Sequence, residues 1–317
     1  MLTRTIKIFA LIYLFNSLHT PLLSQTPHEN NQFTFLVFGA HTGWIGGKIF
    51  SLLQEQNHTV IAATSRLENR QDIEAEINKI QPDFVINCAG VTGRPNVDWC
   101  EDHKQETIRA NVIGTLNLAD TCYLHNIHMT NFGTGCIYEY DARHAEHNGI
   151  GFTEKDEPNF AGSFYSYTKI MLDKLLQNYP NVLNLRLRMP ISDDLHPRNF
   201  ITKIIGYKKV VNVQNSMTIL QDLLPVAIQM TTKRLTGNYN FVNPGTISHN
   251  EILELYKKYI NPDFTYTNFS IEEQNTILKS KRSNNQLDVA KLLQEFPDIP
   301  DIKQSIIEVF KRMKTTI

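Results

Sequence analysis

Phe33-Thr-Phe-Leu-Val-Phe38-Gly39-Ala-His-Thr-Gly43-Trp-Ile-Gly46 decides the reading of this chain. Its first six residues are almost unbroken apolar, which suits a strand buried on both faces of a parallel sheet. The glycines that follow allow a tight turn and a close approach of backbone to a pyrophosphate. A helical pattern then runs over residues 44–56, so its N-terminus offers unpaired N–H groups and the positive end of the helix dipole. A glycine-rich turn alone carries little weight; between a strand and a helix it marks a dinucleotide site. Gly39, Thr42, Gly43, Trp44, Ile45 and Gly46 are therefore the candidate cofactor-contacting residues at this end.

Further along, the pattern repeats. Strands are predicted at residues 59–63, 84–86, 127–132 and 182–187, with helices over 72–80, 101–125 and 163–178. Alternating strands and helices predict an α/β fold, a doubly wound parallel sheet. Past Arg188 the alternation breaks down, and a smaller mixed lobe is expected there. The expected organisation is an extension over residues 1–32, a dinucleotide-binding domain over 33–188 and a substrate lobe over 189–317. In such folds ligands sit beyond the carboxyl ends of the strands.

The second strand ends in Thr64-Ser65-Arg66, with no acid before Glu68. NAD enzymes usually place a carboxylate there for the ribose 2′-hydroxyl, whereas a guanidinium matches a 2′-phosphate. Arg66, helped by Ser65 and Arg70, therefore argues for NADPH; a solvated surface arginine is the other reading. The third strand ends in Asn87-Cys88-Ala89-Gly90, and Asn87, Ala89 and Gly90 are expected beside the adenosine half. Pro190, after the last predicted strand, is expected to border the nicotinamide.

Tyr165-Ser-Tyr-Thr-Lys169 places a phenol and an ammonium on one helical face. A phenol titrates near 10, and a neighbouring ammonium lowers that value toward the range of acid–base work. Tyr167 faces elsewhere and reads as structural. Thr134, at the end of the preceding strand, is placed to donate to a substrate carbonyl.

With 31 Lys plus Arg against 32 Asp plus Glu, the chain is near neutral. This gives no electrostatic case for nucleic acid or an anionic membrane surface. Cys88, Cys100, Cys122 and Cys136 form no C-x-x-C pair and no zinc-ligand spacing, so no metal is expected. Reduced thiols fit a cytoplasmic protein. A basic start, a short apolar run over residues 8–15 and Ser24-Gln25 keep a secretory signal over residues 1–25 open as the alternative.

Together these residues resemble the extended short-chain dehydrogenase/reductases, and more closely the dTDP-4-dehydrorhamnose reductase-like enzymes. The longer blocks are most similar to the plant-type bifunctional UDP-4-keto-6-deoxyglucose 3,5-epimerase/4-reductases. Those blocks are Gly90-Val-Thr-Gly-Arg-Pro-Asn-Val-Asp-Trp-Cys-Glu101, Thr134-Gly-Cys-Ile137, Gly162-Ser-Phe-Tyr-Ser166, Pro197-Arg-Asn-Phe-Ile-Thr-Lys203, Ser248-His-Asn-Glu251 and Arg282-Ser-Asn-Asn285. The resemblance spans about Phe33 to the end. It implies reduction at C4 by Thr134, Tyr165 and Lys169, and epimerisation at C3 and C5 with Cys136 and Lys203 as the acid–base pair. Cys136 as a packed thiol and Lys203 as a phosphate contact are the plainer readings. Arg94, Asn96, Arg198, Asn199 and Arg282 are candidate contacts to a UDP- or dTDP-4-keto-6-deoxyglucose substrate, each equally compatible with a structural role. A homodimer is compatible with the resemblance. A reductase without epimerase activity, and a non-catalytic subunit resembling the regulatory subunit of methionine adenosyltransferase, are the competing expectations. The chain departs from the family in spacing Gly39 and Gly43 four apart instead of three, which leaves the role of Gly39 open.

Overall fold

A computed structural model describes residues 32–316 of the chain. The signal-like segment over residues 1–25, with the rest of the extension through 31, lies outside the described residues.

The sheet is built as the alternation predicts. Strand β1 (Thr34–Phe38) leads into helix α1 (Trp44–Glu55), β2 (Thr59–Ala62), α2 (Arg70–Ile80) and β3 (Phe84–Asn87). The predicted helix over 101–125 is instead segmented. It comprises α3 (Trp99–Asp102), α4 (Lys104–Ile108), a π-helical stretch Arg109–Ile113 and α5 (Gly114–Leu124). The break falls at His103, whose backbone leaves the helical region. Then come β4 (His128–Thr134), α6 (Phe164–Leu176) and β5 (Val182–Leu187).

Beyond residue 188 lie β6 (Pro190–Ile191), α7 (Phe200–Ile205), β7 (Lys209–Val210), β8 (Gln214–Asn215), β9 (Thr218–Ile219), α8 (Leu220–Thr232) and β10 (Gly237–Asn240). The central sheet has the order β10-β5-β4-β3-β1-β2, and every pair in it is parallel. Its sixth strand, β10, thus comes from the part of the chain where sequence patterning loses its alternation. Residues 237–240 read Gly-Asn-Tyr-Asn, a poor apolar signal, yet all four pair with β5, against residues 183–186.

Alternate residues of β1 feed opposite cores. Phe35 and Val37 pack with α1 and α8, whereas Leu36 and Phe38 pack with residues of α2, α5 and α6. Burial on both faces explains why the opening run carries no polar alternation. A third core, with Ile191, Ile201, Ile204 and Ile219 among its members, gathers C-terminal residues, including Phe310 from the helix Ile302–Thr316. Among the described residues no helix is long and apolar enough to cross a membrane.

Candidate active site

The strand ends β1, β3 and β4 converge with the N-terminal halves of α1 and α6. At β1 the chain turns through Gly39, whose φ of +81° suits glycine. A Cβ there would come within 2.9 Å of the Ala89 backbone nitrogen, just past the end of β3. The Gly39 carbonyl accepts from the Gly43 N–H at 3.1 Å. A Cβ at Gly43 or at Gly46 would collide with that same carbonyl. This answers the question left by the spacing: Gly39 is the pivot on which the other two glycines close. Gly43 caps α1 without a side-chain hydrogen bond, so the helix start is not blocked by its own cap. That cradle fits a dinucleotide pyrophosphate. Thr42 is exposed at the turn, whereas the Ile45 side chain packs against the core beneath it.

Trp44 departs from expectation. Its indole N–H donates to Asp194 at 3.1 Å, and its ring stacks on His196 at 5.1 Å between centroids. Lys48 pairs with the same carboxylate at 2.7 Å. The indole therefore ties the glycine turn to the 192–196 loop, and only the Trp44 backbone remains for a nucleotide.

At the end of β2, Arg66 is exposed and forms no ion pair among the described residues. Its expected helpers are committed elsewhere. Arg70 pairs with Asp120 of α5 at 2.5 Å. The Ser65 hydroxyl donates to Glu76 at 2.5 Å, and Glu76 also accepts from the Ser65 and Thr64 N–H groups and the Thr64 hydroxyl. These hydrogen bonds outweigh burial and hold the Glu76 carboxyl below its ordinary range. A sequence scan for an acid just after β2 misses Glu76, because α2 returns it to that position from ten residues downstream.

The catalytic candidates come together. Tyr165 and Lys169 lie one turn apart on α6, both under a tenth exposed, with the Lys169 ammonium 5.9 Å from the Tyr165 ring centre. The Thr134 hydroxyl lies near enough to the Tyr165 phenol to favour its ionised form. The Thr134 oxygen also accepts the Cys136 N–H at 3.1 Å. Cys136 is half-buried beside them. Its carbonyl accepts from the Ser166 hydroxyl at 2.7 Å, which locks it to the first turn of α6. That turn is capped twice: Ser163 accepts from the Ser166 N–H, and Glu101 accepts from the Phe164 N–H. Gly90 completes the wall, since a Cβ there would lie 3.6 Å from the Lys169 ammonium.

Burial dominates the titration of both central groups. It pushes the Tyr165 phenol up, with the Cys136 charge adding to the rise and the Thr134 hydroxyl opposing it. It lowers the Lys169 ammonium to about 8. The expectation that Lys169 lowers the phenol is therefore corrected. Both groups lie in a region of low polarizability, where desolvation outweighs their mutual influence.

A cleft of about 330 Å³ adjoins this centre, lined by Gly90, Thr92, Arg94, Trp99 and Arg198 among others. Arg198 reaches across it to donate to the Thr92 hydroxyl at 3.1 Å. Lys203 follows on α7, half-buried, its ammonium lowered by burial and then by Arg198. Pro190 is half-exposed in β6.

Three substrate candidates turn inward. Asn199 is fully buried as the cap of α7; its amide donates to Ser192 and Asp194 carbonyls and its oxygen accepts from the Ile201 N–H. The Asn96 oxygen accepts from the Asp98 N–H. Arg282 spends one guanidinium nitrogen on Asp98 at 2.8 Å and on Ser280, leaving part of its fork for a ligand. Short polar side chains next to turns satisfy local backbone first, which is why residue type alone misplaces them.

Two features escaped sequence reading. Arg188 is buried, and its guanidinium donates to Gly135, Ser216, Asn215 and Ser283 with no carboxylate partner among the described residues, bracing the segment that carries Cys136. Four asparagines, one in each of β3, β4, β5 and β10, are buried side by side. Asparagine is depleted in strands, so its recurrence in strand segments was the available signal.

Comparison with known proteins gives a consistent picture. The sequence profile described as the NAD dependent epimerase/dehydratase family matches residues 35–225. The chain is 56% identical over 290 residues to an Arabidopsis thaliana protein named bifunctional dTDP-4-dehydrorhamnose 3,5-epimerase/dTDP-4-dehydrorhamnose reductase, covering 91% of this chain and 96% of that one. It is 54% identical over 299 residues to an A. thaliana trifunctional UDP-glucose 4,6-dehydratase/UDP-4-keto-6-deoxy-D-glucose 3,5-epimerase/UDP-4-keto-L-rhamnose-reductase, covering 94% of this chain but only 45% of that protein. Among solved structures, the L780 UDP-rhamnose synthase of Acanthamoeba polyphaga mimivirus superposes with a TM-score of 0.85 at 42% identity, covering 89% and 99% of the two chains.

Proposed function

The chain belongs to the NAD dependent epimerase/dehydratase family, and from that premise we propose that it inverts C3 and C5 of a UDP-linked 4-keto-6-deoxyhexose and then reduces C4 with NADPH, giving UDP-L-rhamnose. The observation that carries this reading is the grouping of Thr134, Cys136, Tyr165 and Lys169 around one buried space beside the 90–94 cleft. The names of the trifunctional relative and the mimivirus enzyme support UDP as the carrier.

The chemistry follows from a ketone at C4. It acidifies the protons on both neighbouring carbons, so a base removes one and an acid returns one to the opposite face. Cys136 and Lys203 are the pair proposed for that exchange. The oxygen that gains charge in the enolate is O4, and the Thr134 and Tyr165 hydroxyls are the donors proposed to hold it. The reduced nicotinamide, when bound, supplies the hydride for C4. Tyr165 then gives its proton to O4, and Lys169 resupplies it. A phenol held up by burial stays protonated at neutral pH, which suits a proton donor.

The glycine cradle and the start of α1 are the proposed pyrophosphate site, and Asn87, Ala89 and Gly90 the adenosine side. Arg66 is the proposed partner of the 2′-phosphate. With Ser65 and Arg70 committed elsewhere, it acts alone. Arg66→Ala is expected to weaken NADPH about 10- to 100-fold, the range for a hydrogen bond to a charged group, while NADH affinity stays unchanged. Titration calorimetry with both nucleotides checks this; equal losses for both remove the assignment.

The reading itself is tested by incubating the protein with NADPH and either UDP- or dTDP-4-keto-6-deoxyglucose and resolving the products by NMR. UDP-L-rhamnose is expected. A reduced product with unchanged C3 and C5 restores the simple reductase, and no NADPH oxidation with either sugar restores the non-catalytic subunit.

A further inference from the structure

The four buried asparagines form a directed relay. Asn87, Asn131, Asn184 and Asn238 are register partners across β3, β4, β5 and β10. The Asn87 amide donates to the Asn131 oxygen at 2.9 Å, and the Asn131 amide donates to the Asn184 oxygen at 2.8 Å. The Asn184 amide donates onward to Asp173 and to the Asn238 oxygen, both at 2.8 Å, and Asn238 also donates to Asp173. Asp173 lies on α6, one turn beyond Lys169 and two beyond Tyr165. Arg186 holds it from β5 through two nitrogens, at 3.0 and 2.6 Å.

Both ends fix the direction of every amide between them. At the near end the Asn87 oxygen accepts from the Ala89 N–H at 3.0 Å, and a backbone N–H can only donate. At the far end the Asp173 carboxylate, paired with Arg186, can only accept. Each asparagine in between must therefore turn its oxygen toward β3 and its amide toward α6. Aligned hydrogen bonds in a low dielectric polarise and stiffen one another.

We infer that this relay is a positioning device, in which Asn131 and Asn184 hold the Ala89–Gly90 segment in register with the helix that carries Tyr165 and Lys169. It rests on the proposal that NADPH lies against Ala89 and Gly90. Gly90 is the point where the two meet: a Cβ there would be 3.6 Å from the Lys169 ammonium and 3.2 Å from Asn111, which itself bonds the Val91 backbone.

Asn131→Leu, similar in size, cuts the relay in the middle. NADPH affinity is expected to fall about tenfold, the size of one lost buried hydrogen bond, together with a fall in kcat. Thr130→Val is the control. It removes a buried hydrogen bond, Thr130 to Thr231 at 2.7 Å, on the opposite face of the same strand. It should lower the melting temperature comparably with NADPH affinity unchanged.

Asn131→Asp gives the sharper test, and it also serves if the leucine variant does not fold. The introduced carboxyl can accept from Asn87 in either form but can donate to the Asn184 oxygen only when protonated. The charged groups on that face are Asp173 and Arg186, reached through Asn184, and Lys169 farther along α6. Relative to wild type at each pH, Asn131→Asp should bind NADPH with near-equal affinity at the acidic end of the stable range and progressively more weakly as pH rises. Wild-type NADPH binding is measured first: its absence would count against the proposed function and not against the relay. Wild-type affinity in Asn131→Leu, equal losses in Thr130→Val, or an Asn131→Asp to wild-type affinity ratio that stays constant with pH would each overturn the relay.

Discussion

Tyr165→Phe is expected to lower NADPH-dependent reduction of the 4-keto sugar by about 10²–10⁴-fold, the usual worth of a positioned general acid, while leaving NADPH affinity nearly intact. The substitution removes one oxygen, the neighbour of Thr134, and keeps the ring that fills the site. Since the phenol is held up by burial, the wild-type rate is not limited near neutral pH by loss of the Tyr165 proton. Lys169, by contrast, is lowered by burial to about 8. Its ammonium form, present below that value, is the one that can resupply a proton. Reduction is therefore expected to decline as pH rises through about 8, and Lys169→Met should lose that limb along with most activity. Stopped-flow NADPH oxidation across pH measures both. A Tyr165→Phe enzyme with wild-type turnover would remove the phenol from the chemistry.

Much of this site is legible in the sequence because its parts are local. The turn of Gly39, Gly43 and Gly46 and the pair Tyr165 and Lys169 each lie within a few residues, where backbone geometry decides what faces what. The same holds for β1 and β3, whose apolar runs match burial on both faces. What escaped was non-local. β10 reads as Gly-Asn-Tyr-Asn and becomes a strand only because β5 offers it an edge. Glu76 reaches Ser65 through a whole helix, and Asp194 draws the Trp44 indole away from the nucleotide side. Asn199 and Asn96 carry side chains suited to sugars, yet adjacent backbone groups claim them first. The titration of Tyr165 is non-local in the same way. The proximity of Lys169 to Tyr165 is a sequence property, but the desolvation that overrides it is a property of packing.

Cys136→Ala should suppress deuterium exchange from solvent at C3 and C5 by about 10²–10⁴-fold and yet leave reduction of a supplied UDP-4-keto-L-rhamnose largely in place, because Thr134, Tyr165 and Lys169 remain. Lys203→Met separates two roles. As an acid–base partner, its loss lowers the turnover of exchange. As a contact to nucleotide phosphates, its loss raises KM with turnover unchanged. Its half-buried position on α7 and the neighbouring Arg198 both disfavour the ammonium, so Lys203 gives up a proton more readily than a solvated lysine. That property serves proton transfer, whereas a phosphate contact needs only charge, which Arg198 already provides beside it. If the two residues work as a pair, Cys136→Ala/Lys203→Met should exchange no more slowly than the worse single variant, because either loss alone already breaks the proton path. Independent, multiplying losses would mean that the two residues act at different steps.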